Sequence, residues 1–187
     1  DGACHVSMAQ VSPELKARTI VVNGVSKTYA MTGWRIGYAA GPEEVIALMD
    51  KAQSQTISHP SSISQKAAVA ALNGPQDMVE TMRVEYDKRR RFMVERLNGL
   101  DGVQCDLPLG AFYVYPDVSS YFGRRVDDRS IGNSSDLCDY LLDEARVACV
   151  PGVGFGTEPH LRMSYATSME NLAQAMDRLT EALGKLV

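Results

Sequence analysis

Cysteine and histidine are sparse in this sequence of 187 residues, which contains four cysteines and three histidines. The cysteines form no Cys-x-x-Cys pair and have no histidine at ligand spacing, so the sequence predicts neither a zinc site nor a redox-active pair. Scattered free cysteines are typical of small buried side chains in a reducing compartment. They are Cys4, Cys105, Cys138 and Cys149.

Long apolar runs and an excess of basic charge are also missing. No stretch approaches the roughly 18 apolar residues of a membrane span, and the N-terminal segment lacks the pattern of a signal peptide. A net charge of −4 and a pI near 5.4 argue against nucleic acid or an acidic membrane as the main partner. We therefore expect a cytoplasmic protein.

The composition is that of an ordinary folded protein, with 45% hydrophobic and 22% charged residues. At about 150 residues per domain, this length predicts one domain or a large piece with a smaller one. β-branched and alternating apolar residues predict strands at 19–22, 34–40, 103–106, 111–115, 147–150 and 161–165. A last helix is predicted to begin at the capping box Thr167-x-x-Glu170, and the polar composition of 119–134 predicts a surface loop. Helical periodicity with start and stop signals predicts the other helices, at 42–53, 62–72, 75–98 and 135–145. This order of elements predicts an α/β chain in which helix 75–98 joins two lobes.

Lys27 is the first candidate for chemistry, because it lies in a tight turn just after a predicted strand. A lysine that is partly desolvated loses part of its preference for the charged form, and its amine can then condense with an aldehyde. An ordinary surface lysine is the alternative. A phosphate-binding P-loop is excluded, because that motif needs a glycine immediately before the lysine and Ser26 stands there.

Arg35 lies eight residues beyond Lys27, at the start of the second predicted strand. A turn between the two strands is expected to bring its guanidinium close to the Ser26 hydroxyl and the Lys27 amine. A guanidinium beside a hydroxyl is well suited to bind a phosphate. A structural ion pair is the alternative role for Arg35.

Arg162 lies in an apolar strand, where a side chain that faces inward needs an anion. An inward arginine is suited to hold a small-molecule carboxylate through two parallel hydrogen bonds. If it faces outward, it is an exposed strand arginine. The nearby segment 110–113 is a turn into another apolar strand, and we expect Phe112 and Tyr113 to lie in the core.

Two further features do not predict a site. The basic run at 88–91 lies within a predicted helix, whose period spreads these residues around the axis, so a solvated face is expected. The three histidines have no acidic partner at useful spacing, so neither a triad nor a metal cluster is predicted.

The segment 22–38, which reads VNGVSKTYAMTGWRIGY, resembles the cofactor-lysine signature of class I aminotransferases that depend on pyridoxal phosphate. It is most similar to the prokaryotic-type aspartate aminotransferases. The resemblance covers essentially the whole chain in order, through segments 53–55, 71–77, 110–113, 150–152 and 162–166.

The resemblance implies a role for each candidate residue. Lys27 would carry pyridoxal 5'-phosphate as a Schiff base and, once released, move a proton at the substrate α-carbon. Ser26 and Arg35 would bind the cofactor phosphate, and Arg162 would hold the substrate α-carboxylate. The implied reaction moves an amino group between an amino acid, aspartate or glutamate, and a 2-oxo acid.

The resemblance also implies the C-terminal part of fold type I. Residues 1–74 would end a large, mostly parallel-sheet domain that binds the cofactor, 75–98 would be an interdomain helix, and 99–187 would be a small α+β domain. The family's phosphate loop, its ring-stacking aromatic residue and the aspartate that pairs with the pyridine nitrogen are missing. We therefore expect a fragment that is inactive alone, with a poorly folded first lobe and unpaired strand edges, and a homodimer for the full-length protein.

Three other interpretations stay open at this point. The chain could belong to a DNA-binding regulator in which an aminotransferase-like domain senses the cofactor as a ligand. It could instead come from an aromatic or prephenate-type aminotransferase, or be a truncated gene product.

Overall fold

Runs of helices and runs of strands follow one another along the chain, and they fall into two groups. The computed structural model describes all residues from 1 to 187, and they form two compact units, Asp1–Thr81 and Met82–Val187. The division into 1–74, 75–98 and 99–187 stays a prediction. No helix combines the length and the apolar character that crossing a bilayer would require.

The first unit is built on an antiparallel pair of short strands. Its elements are α1 (Met8–Val11), α2 (Pro13–Lys16), β1 (Val21–Gly24), β2 (Gly37–Ala40), α3 (Glu43–Thr56), α4 (Ser62–Asn73) and the start of α5 (Asp77–Asn98). The predicted helices are confirmed to within three residues at each end. The strand predicted to begin at residue 34 is wrong at its start, because residues 32–34 form a 3₁₀ turn and β2 begins only at Gly37.

Few apolar side chains of the first unit are buried. Val25 and Ala68 are its only buried apolar residues, whereas Val22, Leu48 and Ile63 are largely exposed. β1 and β2 pair only with each other, so the outer edge of each strand is unpaired, as expected. This unit therefore has strands and helices without a continuous core.

The second unit contains two small sheets. Its elements are β3 (Tyr113–Val114), β4 (Arg125–Val126), β5 (Arg129–Ser130), α6 (Ser134–Ala145), β6 (Val150–Pro151), β7 (Leu161–Ser164) and α7 (Met169–Leu183), after the rest of α5. The larger sheet is antiparallel, with β7 between β3 and β6. The core of the chain lies here, where α6 and α7 pack together and the Tyr140 hydroxyl donates a buried hydrogen bond to the Ala182 carbonyl at 2.7 Å.

Several sequence-based predictions in this unit need correction. The strand predicted at 147–150 is wrong except for its last residue, since β6 begins only at Val150. Residues 103–106 do not form a strand, since Gln104 makes only an isolated bridge to Asp117. The predicted loop at 119–134 contains the β4–β5 hairpin, and Ile131 is fully buried there. The helix α7 is capped by Ser168 rather than Thr167, because the Ser168 hydroxyl accepts a hydrogen bond from the Asn171 amide.

A further correction concerns the basic run at 88–91. Arg90 is buried and donates a hydrogen bond to the Pro108 carbonyl at 2.7 Å, so it is not part of a solvated face. Asp87 pairs with both Arg90 and Arg91, and hydrogen bonding from Arg91 lowers the pKa of this carboxyl. Arg90 therefore ties α5 to the loop that precedes β3.

We expect the uneven distribution of buried residues to appear in mutant stabilities of the 187-residue chain. Leu137→Ala removes a side chain that is 0% exposed and should lower the free energy of unfolding by about 2–5 kcal/mol. The same change at Leu48, which is 67% exposed, should alter it by no more than about 0.5 kcal/mol. Urea unfolding measures both changes. The near-ultraviolet circular dichroism of the buried tyrosines follows the second unit in Leu137→Ala, and far-ultraviolet circular dichroism follows the helices in Leu48→Ala. Equal effects of the two changes would contradict this picture.

The thiols should differ in reactivity. Cys105 and Cys138 are buried and Cys149 is half-buried, whereas Cys4 is exposed, which corrects the expectation that all four are buried. Burial raises the pKa of Cys138 to about 11 and that of Cys149 to about 12. At pH 8 the thiolate fraction of Cys138 is then about one in a thousand, so iodoacetamide should label Cys4 first and the other thiols only on unfolding or at higher pH. Peptide mass mapping after timed labelling checks this order.

Candidate functional site

A tight turn directly after β1 carries Ser26 and Lys27. Val25 is fully buried and its carbonyl accepts a hydrogen bond from the Tyr29 amide at 3.3 Å, while the Ala30 amide donates to the Lys27 carbonyl at 3.2 Å. Ala30 completes the turn with a left-handed φ of 54°. Val25 is buried in the unit, whereas Lys27, two positions later in the same turn, is exposed. The predicted partial burial of Lys27 is therefore wrong for this unit.

The pairing of β1 with β2 places Ser26 and Arg35 at matching positions. Gly24 pairs with Gly37, and each of the two polar residues lies two positions beyond this pair. A Cβ atom on Gly37 would lie 3.0 Å from the Asn23 carbonyl oxygen, so a side chain at this position would be tightly packed against the neighbouring strand. The strand pairing thus brings the two ends of the segment 25–36 together, with Lys27 in its first turn.

Arg35 is not at the start of a strand, as the alternating pattern predicted. It ends the 3₁₀ turn with a left-handed φ of 50°, and its Nη1 donates a hydrogen bond to the Thr32 carbonyl at 2.9 Å. Its side chain is exposed and forms no ion pair within the first unit, so the alternative role as an ion-pair partner is not observed there. The remaining N–H groups of the guanidinium can still bind an anion.

Tyr29, to which no sequence pattern assigns a role, ties this turn to the end of α4. Its hydroxyl donates to Gln76 Oε1 at 3.0 Å, and Gln76 Nε2 donates in turn to the Ala71 and Gly74 carbonyls. The only sequence signal is that Tyr29 and Gln76 both lie in segments that carry the family resemblance, 22–38 and 71–77. The hydrogen bonds hold the turn that carries Lys27 against a helix of the same unit.

Arg162 belongs to the second unit and lies on β7. Leu161 and Met163 on either side of it are buried in the core, so Arg162 projects from the opposite face of the strand and is half-buried. Its Cζ atom lies 4.6 Å from the ring centroid of Tyr113 and 4.8 Å from that of Phe155. No acidic side chain of residues 82–187 lies within ion-pair distance of it.

Tyr113 and Phe155 are contacts of Arg162 that the sequence did not indicate. The expectation that Tyr113 lies in the core is wrong, because Tyr113 pairs with Ser164 and is half-buried beside the arginine. Phe112 does pack against the core and is partly buried. The loop before β3 is held by the Arg90 bond to Pro108 and by the Tyr165 hydroxyl, which donates to the Ala111 carbonyl at 3.0 Å.

A glycine-dependent turn brings Phe155 to Arg162. Residues 152–155 form a 3₁₀ turn that ends at Gly156, whose φ is 79°. A Cβ atom on Gly152 would lie only 2.1 Å from the Thr157 carbonyl oxygen and 2.5 Å from that of His160. The Gly152 amide also donates to the His160 carbonyl at 2.7 Å, which closes the turn onto the beginning of β7.

Comparison with known proteins points to one family for both groups of residues. The family model described as "Aminotransferase class I and II" matches residues 2–179. The aspartate aminotransferase of Rhizobium meliloti is 49% identical over 187 residues, which are 100% of this chain and 46% of that protein. The aspartate/prephenate aminotransferase of Nitrosomonas europaea is 47% identical over 184 residues, which are 97% of this chain and 46% of that protein.

Solved structures agree with these relatives. The crystal structure of the Rhizobium meliloti aspartate aminotransferase matches with a TM-score of 0.96 and 48% identity, over 100% of this chain and 47% of that one. An aromatic aminotransferase from Pyrococcus horikoshii matches with a TM-score of 0.88 and 41% identity, over 98% of this chain and 48% of that one. The chain therefore spans about half the length of the curated relatives and solved structures that it matches.

The turn at Gly152 offers a test of how the Arg162 site is built. Gly152→Ala forces a Cβ against two carbonyl oxygens and should destabilise the second unit by about 1–3 kcal/mol. Gly154→Ala in the same turn meets no atom within 4 Å and should leave stability within about 0.5 kcal/mol of the original. Urea unfolding measures the stability of both variants. If Gly152→Ala is as stable as Gly154→Ala, the Thr157 and His160 carbonyl oxygens do not lie against Gly152 in solution.

Proposed function

We propose that this chain, which belongs to the family of class I and II aminotransferases, is the C-terminal part of a transaminase that moves an amino group between an amino acid and a 2-oxo acid. The observation that carries the proposal is the pairing of Gly24 with Gly37, which places a hydroxyl and a guanidinium at the two ends of the segment that contains Lys27.

The cofactor implied by the family is pyridoxal phosphate, on which its members generally depend. The donor set of this segment fits that molecule. An aldehyde needs an amine, which Lys27 supplies on an exposed surface, and a phosphate dianion needs hydrogen-bond donors and a cation, which Ser26 and Arg35 supply. Gly33, within the same segment, has no atom within 4 Å of where a Cβ would be, so its backbone is open to a ligand.

Each residue has a distinct task in the proposed reaction. When bound, pyridoxal phosphate supplies an electron-withdrawing ring that makes the α-proton of the amino acid acidic. Ser26 and Arg35 hold the phosphate in place. Lys27 would anchor the aldehyde carbon through Nζ and, as a free amine, would move a proton from the substrate α-carbon to the carbon that it had anchored. Arg162 holds the α-carboxylate of the substrate by paired, charge-assisted hydrogen bonds.

Aspartate or glutamate, with their 2-oxo acids, are the proposed substrates, because several of the matching relatives are named aspartate aminotransferases. An aromatic or prephenate-type activity is the second candidate. It is favoured by the relatives named aspartate/prephenate aminotransferases and by the structural match to an aromatic aminotransferase. The homodimer and the cytoplasmic location expected of the complete protein stay predictions.

Lys27 provides the decisive experiment in the complete protein that contains this chain. After incubation with pyridoxal phosphate and reduction with borohydride, peptide mass mapping should find the label on Lys27. Lys27→Ala should lose the visible absorbance of the bound cofactor and at least about a hundredfold in transamination rate. Lys51→Ala, which changes an exposed lysine on α3, serves as the control and should behave like the original protein.

The outcomes separate the candidate functions. Label on Lys27 together with amino transfer from aspartate supports the proposal, and a preference for prephenate as acceptor supports the second candidate. Label without transfer from any amino acid indicates a domain that senses the cofactor. If Lys27 stays unlabelled while the protein binds the cofactor, the proposed function is wrong.

A further inference from the structure

The guanidinium of Arg162 is held by aromatic rings rather than by acidic side chains. Its Cζ lies 4.6 Å from the Tyr113 ring centroid and 4.8 Å from the Phe155 ring centroid, which is within the range where a ring attracts a cation. We propose that Tyr113 and Phe155 are positioning residues that hold Arg162 ready for a carboxylate. The inference rests on the carboxylate-binding role proposed above for Arg162.

Rings are suited to this task because they restrict the arginine without using its hydrogen-bond donors. An arginine side chain has several rotatable bonds, and ordering them when a ligand arrives lowers the affinity. An acidic partner would order the side chain too, but it would also occupy the N–H groups that a substrate carboxylate needs. Cation–ring contacts order the side chain and leave the N–H groups available.

Both rings are fixed by the fold of the second unit. Tyr113 lies on β3 opposite Ser164 of β7, and is therefore a diagonal neighbour of Arg162 on the same face of the sheet. Phe155 lies in the turn that Gly152 closes, with its ring edge-on to Tyr115 at 6.2 Å. The Tyr115 ring is in turn stacked on the His160 ring, with 4.8 Å between their centroids, and His160 directly precedes β7.

Phe155 has no evident role in the core that would explain its position. It is 49% exposed and lies outside the buried cluster of this unit, in contrast to Phe112 and Phe122, which pack against that cluster. A substitution at Phe155 should therefore change the ordering of Arg162 without weakening the fold. This separates a positioning role from a structural one.

The test compares Phe155→Leu with a matched control in the complete protein loaded with its cofactor. Phe155→Leu should raise KM for the amino acid, and Kd for the unreactive dicarboxylate succinate, by about 3- to 30-fold, while kcat changes less than about twofold. Phe155→Tyr restores a ring and should restore both constants. Phe92→Leu is the control, because it removes a ring whose centroid lies 5.7 Å from the Cζ atom of a different arginine, Arg96. It should leave both constants unchanged.

Arg162→Gln distinguishes failure of this inference from failure of the proposed function. If Arg162→Gln binds succinate as well as the original protein, the carboxylate role of Arg162 is wrong. If Arg162→Gln abolishes binding and Phe155→Leu does not weaken it, the positioning role of the ring is wrong. The same conclusion follows if kcat falls as much as KM rises, or if Phe155→Tyr fails to rescue.

A second measurement on the 187-residue chain depends on neither catalysis nor cofactor. Because a nearby ring shifts the resonances of protons above its face, the Arg162 Nε–H signal should move downfield in Phe155→Leu and stay in place in Phe92→Leu. An unchanged signal in Phe155→Leu would show that the ring does not lie against the guanidinium in solution, and would overturn the inference whatever the kinetics.

Discussion

The candidate cofactor site depends on the close approach of two backbone segments at Gly24 and Gly37. Gly24 pairs with Gly37 where β1 and β2 meet, and a Cβ atom on Gly37 would lie 3.0 Å from the Asn23 carbonyl oxygen. The connection between the strands is thereby closed at its base. Ser26 and Arg35, nine positions apart in sequence, come to lie at corresponding places on its two ends, and Lys27 follows in the first turn.

The Arg162 site depends on a different constraint, the alternation of side chains along β7. Leu161 and Met163 are required by the core, so the residue between them must project to the other face. That face receives Tyr113 from the neighbouring strand and Phe155 from the turn after β6. The core of the second unit thus fixes the strand, and the strand presents a cation with its hydrogen-bond donors available.

The two units differ in how much apolar surface they bury. The second unit has a continuous core of helices and sheet, whereas the first buries only Val25 and Ala68 among its apolar residues. Ordering a polypeptide costs about 1–2 kcal/mol per residue in backbone entropy, and the burial of two small side chains offsets little of it. The proposal that this chain is one part of a longer transaminase accounts for this difference, since further polypeptide could cover the exposed faces.

The sequence by itself determined the elements that depend on neighbours in the chain. Periodicity and caps predicted α3, α4, α5 and α6 within three residues, and the segment around Lys27 indicated the family through local residue types. Only the tertiary structure decided that Arg35 adopts a left-handed backbone, that Lys27 is exposed in its unit, that Arg90 is buried beneath the loop at Pro108, and that Tyr113 and Phe155 contact Arg162. The physical reason is spacing. Helical periodicity and capping are set by residues three or four positions apart, whereas strand pairing and ring–cation contacts join residues at no fixed spacing, from seven positions for Phe155 and Arg162 to 49 for Tyr113 and Arg162, and leave no periodic trace in the sequence.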